Sequence, residues 1–308
     1  MHYSERIRDA LDRGLPVVAV ESSILTHGLS YPRSIHLVLD VEETIRKSGA
    51  EPALVAMVEG KISVGLDRAT MERLAKSDRN MKLTTADLGV AAAKGYSGGT
   101  TAATTAWIAG KAGIRVALAG GLGGVHRDVA DTWDISGDLT AMGNTPVLMA
   151  CGGIKTFLDI GKSLEALETL GVPVWTFGLD RFPGYFVRES AYPAHRVDSG
   201  EEAAALAAAH WALGLTSGVV LGVPIPDDAA FDGERIEAVI RRVLKDMEGR
   251  TDGRGVTPHI IRAIERETAG QSAAANRALI AEAARRAAET AVALAAIESS
   301  NSEREMPR

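Results

Sequence analysis

The sequence predicts an α/β fold, with three α/β/α layers around a mostly parallel central sheet and a helical C-terminal part. Three observations carry that expectation. Short valine- and alanine-rich runs alternate with longer amphipathic segments as far as residue 226. Those runs are apolar at successive positions rather than at alternate ones, which is the pattern of strands covered on both faces. Beyond residue 226 the chain reads as three helices, and 46% hydrophobic against 24% charged residues supplies an ordinary globular core.

Taken in order, residues 4–13 predict a short helix, and 16–20 predict a buried strand that ends at Glu21. A helix over 34–48 carries Ile35, Leu37, Val38, Val41 and Ile45 on one stripe. Residues 53–58 predict a strand, 60–65 a hairpin or short extended segment, 69–77 a helix and 81–84 a brief strand. A helix begins at Asp87. Residues 94–101 end it and cap the next, over 102–112. Strands over 115–119 and 147–151 bracket a glycine-rich turn and an acidic turn, and an amphipathic helix from about Ile154 closes at Leu170 before Gly171. Strands over 172–176 and 218–223 flank an alanine-rich helix over 201–213. Helices over 233–248, 258–268 and 273–297 complete a single catalytic domain spanning 1–298, and the polar residues 299–308 read as a disordered tail.

A net charge of −6 gives no electrostatic footprint for nucleic acid or an anionic membrane. The single cysteine, Cys151, lies in an apolar run and reads as a core residue. No signal-peptide pattern opens the chain and no long apolar run occurs, so the expected location is the cytoplasm.

Candidate chemistry concentrates between Arg115 and Asp159, with Glu21 as an outlying member. Glu21 sits where α/β enzymes place site groups, at the carboxyl end of a buried strand, with a cap or a surface turn as the alternative. Lys155 follows Gly152-Gly153 at the expected start of a helix. There the helix N-terminus and the apolar flanks favour the neutral amine that an imine-forming nucleophile requires. The plainer alternative is a surface lysine paired with Asp159. The turn Gly120-Gly-Leu-Gly-Gly-Val-His126-Arg127 lacks the G-x-G-x-x-G spacing of dinucleotide folds. Its His126 is a site residue or, alternatively, a solvated loop histidine. Asp134 and Asp138, four apart, suit a hard cation that keeps its waters, or else an Asx turn with a helix cap. Thr100 and Thr101, before the helix over 102–112, form a generic anion site of little specificity.

Collinear segments from about residue 17 to 295 together resemble the pseudouridine-5′-phosphate glycosidase family, which includes indigoidine synthase A-like proteins. They are Glu21-Ser-Ser-Ile-Leu-Thr-His-Gly28, Gly65-Leu66, Thr100-Thr101, the glycine turn through Arg127, Asp134-Ile-Ser-Gly-Asp-Leu139, Cys151-Gly-Gly-Ile-Lys155, Phe182-Pro183, Pro224-Ile-Pro226, Thr257-Pro258 and Asn276. The resemblance implies a homotrimeric enzyme that uses Mn²⁺ or another divalent cation and acts on the carbon–carbon bond between ribose 5-phosphate and a base. It implies Lys155 as the nucleophile at C1′, Glu21 as general acid and base, and Asp134 as the metal ligand. Substrate contacts are implied at Lys82, Thr100, Thr101, Ala102, His126, Ser136, Gly137, Asp138 and Asn276.

The chain departs from the family pattern at Thr85-Ala86, Ala102, Val223, Glu282 and Ala283, where polar groups are exchanged for smaller or apolar ones in most cases. If these positions line the base side, a uracil site has lost its hydrogen-bonding groups. The expectation is then a C-glycosynthase joining ribose 5-phosphate to an aromatic, polyketide-type acceptor, as the alnumycin member of the family does. Cleavage of pseudouridine 5′-phosphate to uracil and ribose 5-phosphate is the alternative, and a non-catalytic sugar-phosphate binding protein is a third.

Overall fold

The computed structural model describes residues 1–246 and 256–305, with side chains described to 300 and from 260 in the last part. Among the described residues eleven strands form one sheet: β1 (His2–Tyr3), β2 (Val17–Glu21), β3 (Glu51–Val58), β4 (Lys61–Val64), β5 (Met81–Leu83), β6 (Gly98–Thr100), β7 (Val116–Leu118), β8 (Leu148–Cys151), β9 (Val174–Phe177), β10 (His195–Val197) and β11 (Val219–Gly222). Their order is β1-β4-β3-β2-β7-β8-β11-β9-β10, with β6 joined to β3 and β5 to β6. Every pairing is parallel except β3 with β4 and β3 with β6.

Alternate strand residues feed two separate cores, and this makes the three layers. Val17 and Ala19 of β2 point into one core, Val18 and Val20 into the other. The first core is covered by helices that include Ala102–Lys111, Gly137–Gly143, Ile160–Thr169 and Gly233–Asp246. Helices Arg33–Lys47, Arg68–Lys76 and Gly200–Ala212 cover the second. The long helix Gln271–Glu305 serves both, through Ala275 and Leu279 on one side and Ile280, Ala283 and Ala287 on the other. The α/β/α expectation therefore holds, and among the described residues no helix is long and apolar enough to cross a membrane.

Three local expectations are corrected. The helix expected from Ile154 begins at Ile160, where the Asp159 carboxylate caps it by accepting from the Lys162 amide at 3.0 Å. The segment 94–101 is more than a break between helices, because it contains β6, whose Gly98 and Gly99 pair with Met57 and Ala56. Residues 299–305 of the expected tail continue the last helix. Residues 306–308, and the expected end of the helix over 233–248 beyond Asp246, lie outside the described residues.

The candidate active site

The strand order reverses direction at β2, with β3 on one side and β7 on the other, and this is where open α/β sheets form a crevice beyond the carboxyl ends of their strands. A cavity of about 380 Å³ opens there. Glu21, Lys82, Thr101, His126, Asp134, Ser136, Gly137, Asp138, Lys155 and Asn276 all line it. Residues drawn from across 255 positions of sequence thus meet above β2, β7 and β8.

Glu21 ends β2 and is almost wholly buried. The Ser23 hydroxyl donates to its Oε1 at 2.5 Å, and the Gly120 amide donates to its Oε2 at 3.3 Å. Burial raises its carboxyl above the ordinary glutamate value, against the opposing pull of the Lys155 charge and the Ser23 bond. A carboxyl whose protonated form is favoured by burial, in reach of an amine's charge, is equipped to give and take a proton.

Lys155 stands in a loop rather than in a helical turn. Its amide donates to the Leu122 carbonyl at 3.2 Å, and the Asp159 amide donates to that of Val125 at 2.9 Å, so the loop runs along the glycine-rich turn. The surface-pair alternative fails on geometry, because Asp159 pairs with Lys162 at 2.9 Å while Lys155 faces the cavity. A second amine, Lys82 of β5, joins it, and burial followed by repulsion from Lys155 lowers the Lys82 pKa.

The acidic turn divides its two carboxylates. Asp138 accepts from the Gly123 amide and the Ala103 amide, each at 2.8 Å, and so binds the glycine turn to the start of helix Ala102–Lys111. The anion site anticipated at that helix start is therefore occupied by the protein's own carboxylate. Gly123 is required for this approach, since a Cβ there would lie 2.8 Å from Asp138 Oδ2. Asp134 turns the other way, with Oδ2 3.5 Å from His126 Nε2 and its backbone carbonyl accepting from the His126 amide at 3.0 Å. The two carboxylates thus have separate partners. Among the described residues no group of three histidine, cysteine or acidic side chains gathers as a metal cage.

Two expected substrate contacts are not brought to the cavity. Thr100 is fully buried, its hydroxyl donating to the Val55 carbonyl at 3.0 Å and accepting from Thr105 at 2.9 Å, so it holds β6 and β3 in place. Ala102 is buried in the first core. The argument from lost uracil contacts is corrected as well. Thr85 and Ala86 are exposed outside the cavity, and Val223 and Ala283 are buried in the second core. Glu282 is engaged with Arg285 and Arg286. Conversely, Ser23, His27, Tyr185, Phe186, Ile261 and Ile280 line the cavity without having been assigned a role. Ser23 and His27 lie within the family-like segment Glu21–Gly28. The others have no sequence signal apart from Phe182-Pro183 just before Tyr185.

Fold and site together define an α/β enzyme whose crevice pairs a lysine amine with a buried carboxyl group. More particularly, the chain belongs to the family described as indigoidine synthase A like protein, whose model matches residues 6–293. It is similar to a pseudouridine-5′-phosphate glycosidase of Symbiobacterium thermophilum, 43% identical over 303 residues covering 96% of this chain and 98% of the relative. Among solved structures it resembles the prealnumycin C-glycosynthase in complex with ribulose 5-phosphate, with TM-score 0.90, 37% identity, and 97% and 98% of the two chains covered. It also resembles an indigoidine synthase A-like protein of Thermotoga maritima, with TM-score 0.86 and 29% identity over 92% of this chain and 94% of the other.

Proposed function

We propose that this protein acts on the carbon–carbon glycosidic bond of pseudouridine 5′-phosphate, cleaving it to uracil and ribose 5-phosphate and forming it in reverse. The observation that carries this reading is Lys155 and Glu21 together at the strand ends, close enough for the lysine charge to act on the carboxyl. A C-glycosidic bond has no leaving oxygen to protonate, so a pair of carboxylates alone is insufficient. Lys155 Nζ attacks C1′, and the C1′–O4′ bond breaks as Glu21 gives its proton to O4′. The amine returns a proton to the Glu21 carboxylate, and the nitrogen lone pair then expels the ring carbon, which takes that proton from Glu21 and leaves C1′ as an imine with Lys155. Water hydrolyses the imine, releasing ribose 5-phosphate and the free amine.

The relatives carrying the glycosidase name at 43% identity support uracil as the leaving group, and the positions once read as a widened base pocket lie elsewhere. Uracil release from pseudouridine 5′-phosphate with Mn²⁺ tests the reading. Absence of turnover, with C-ribosylation of an aromatic acceptor instead, would establish the second reading, a C-glycosynthase. That reading is favoured by the 0.90 TM-score to the prealnumycin enzyme and by the apolar side chains Phe186, Ile261 and Ile280 in the cavity lining.

A divalent cation fits Asp134, a cavity carboxylate in the acidic turn whose oxygens are not taken up by backbone amides, since manganese or magnesium needs only one or two protein carboxylates beside its waters. There it would supply positive charge next to the substrate. Asp134→Asn is expected to weaken Mn²⁺ binding in calorimetry, and unchanged affinity would remove Asp134 from that role. The homotrimer is part of the same proposal, and light scattering at the mass of three chains tests it.

A further inference from the structure

Tyr185 lines the cavity in a conformation that needs support. Its φ of 63° lies in the left-handed region, uncommon for a tyrosine. Its amide donates to the Gly152 carbonyl at 3.1 Å, next to the lysine loop, and the Thr156 hydroxyl donates to the Gly184 carbonyl at 2.5 Å. The ring lies against Gly121, where a Cβ would come within 2.5 Å of it, and meets the Phe186 ring edge-on at 4.8 Å between centroids. The ring is therefore held by the loop that carries Lys155 and by the glycine turn whose Gly120 amide donates to Glu21.

The hydroxyl of this fixed ring donates to Asn276 Oδ1 at 2.6 Å, across 91 residues of sequence. Burial raises the phenol pKa, so the hydroxyl keeps its proton and acts as a donor. An asparagine amide has an acceptor end and a donor end, and which of them faces a ligand is set by the partners it already has. With Oδ1 engaged, the NH₂ group is left for the cavity.

We propose that Tyr185 is a positioning residue that locks the Asn276 amide with its NH₂ toward the cavity, so that this wall selects a ring presenting carbonyl oxygen. The inference rests on the proposed reading of the site and assigns the base to the part of the cavity lined by Asn276, Tyr185 and Phe186. Sugar and phosphate are left to the glycine-turn wall.

The test compares Tyr185→Phe, Asn276→Ala and the double variant in the full-length protein. Tyr185→Phe is expected to raise KM for pseudouridine 5′-phosphate about tenfold with kcat changed less than about threefold, the scale of one hydrogen bond. Borohydride trapping of ribose 5-phosphate on Lys155 should match wild type, because the sugar wall is untouched. In the Asn276→Ala background the tyrosine change should add nothing further, which a merely structural role would not reproduce. An unchanged KM in Tyr185→Phe, effects that add in the double variant, or weakened sugar trapping would each overturn the inference. Failure of wild-type trapping would instead overturn the reading of the site.

Discussion

Along one wall of the cavity the polar groups are tied to the sheet. Asp138 is clamped by two backbone amides, Glu21 ends β2, and Lys155 sits on a loop hydrogen-bonded along the glycine turn. Along the other wall they are side chains carried by the helices Val256–Glu267 and Gln271–Glu305 and by the loop around Tyr185. The first wall is built from backbone that the two cores hold rigid. The second depends on side chains whose identity can change without disturbing the sheet. On the proposed reading, reaction chemistry at C1′ falls to the first wall and choice of the departing ring to the second.

The sharpest way to break this division is to remove the chemistry from the rigid wall. Lys155→Ala should abolish turnover and sugar trapping together while the folded content seen by circular dichroism stays the same. Residual trapping on Lys82 would move the nucleophile to the second amine. Glu21→Gln should lower kcat by about 10²- to 10⁴-fold, the range of general acid–base catalysis, with far less effect on KM.

Glu21 also links the site to stability. Its folded pKa is raised above the unfolded value, so the native state binds more protons than the unfolded chain between those two values. Stability from this group is fully present below the ordinary glutamate pKa and is lost as pH rises through the raised one. Glu21→Gln should therefore melt at a higher temperature than wild type at pH 8, with the gap narrowing as pH falls toward 5. An equal gap at both pH values would show that desolvation of Glu21 is not its cause.

Asp138→Asn should cost less activity and more structure. An asparagine has one oxygen for the two amides of Gly123 and Ala103, and its NH₂ would face the other amide. Loss of a buried charge-assisted bond predicts destabilisation of about 2–3 kcal/mol. Chemical denaturation measures this. A variant as stable as wild type would mean that the two turns are held by other contacts.

Much of this was legible from pattern. Doubly buried apolar runs located β2, β3, β7, β8, β9 and β11, and Glu21 and Lys155 stood at the ends of such runs. What pattern missed has physical causes. The three residues of β6 include two glycines, whose lack of side chains hides them from any periodicity. The helix after Lys155 was begun too early because Ile154, Phe157 and Leu158 continue its apolar stripe. The true signal was Asp159, a capping residue in a sequence that permitted either start. Tyr185 escaped because its role depends on a left-handed backbone that a tyrosine does not advertise. The supposed base-side positions misled because a polar-to-apolar exchange indicates a pocket only if the residue reaches it, and distance is not written in sequence.

The smallest expected effect tests that last point. Glu282 lies on the long helix between Arg285 and Arg286, with Oε1 2.6 Å from Arg285 Nη2 and 2.9 Å from Arg286 Nε. Its side chain is 23% exposed, and the Arg286 guanidinium also covers the Phe177 ring, 3.9 Å from its centroid. Glu282→Ala removes ion pairs that water already screens, so the loss should be only about 0.5–1 kcal/mol. Arg286 keeps Glu289 at 3.0 Å and its place over Phe177, and this limits the disturbance further. Because Glu282 does not line the cavity, kcat, KM and the choice between uracil and an aromatic ring should all match wild type in steady-state assays. A changed preference among rings would return Glu282 to the specificity wall and favour the C-glycosynthase reading.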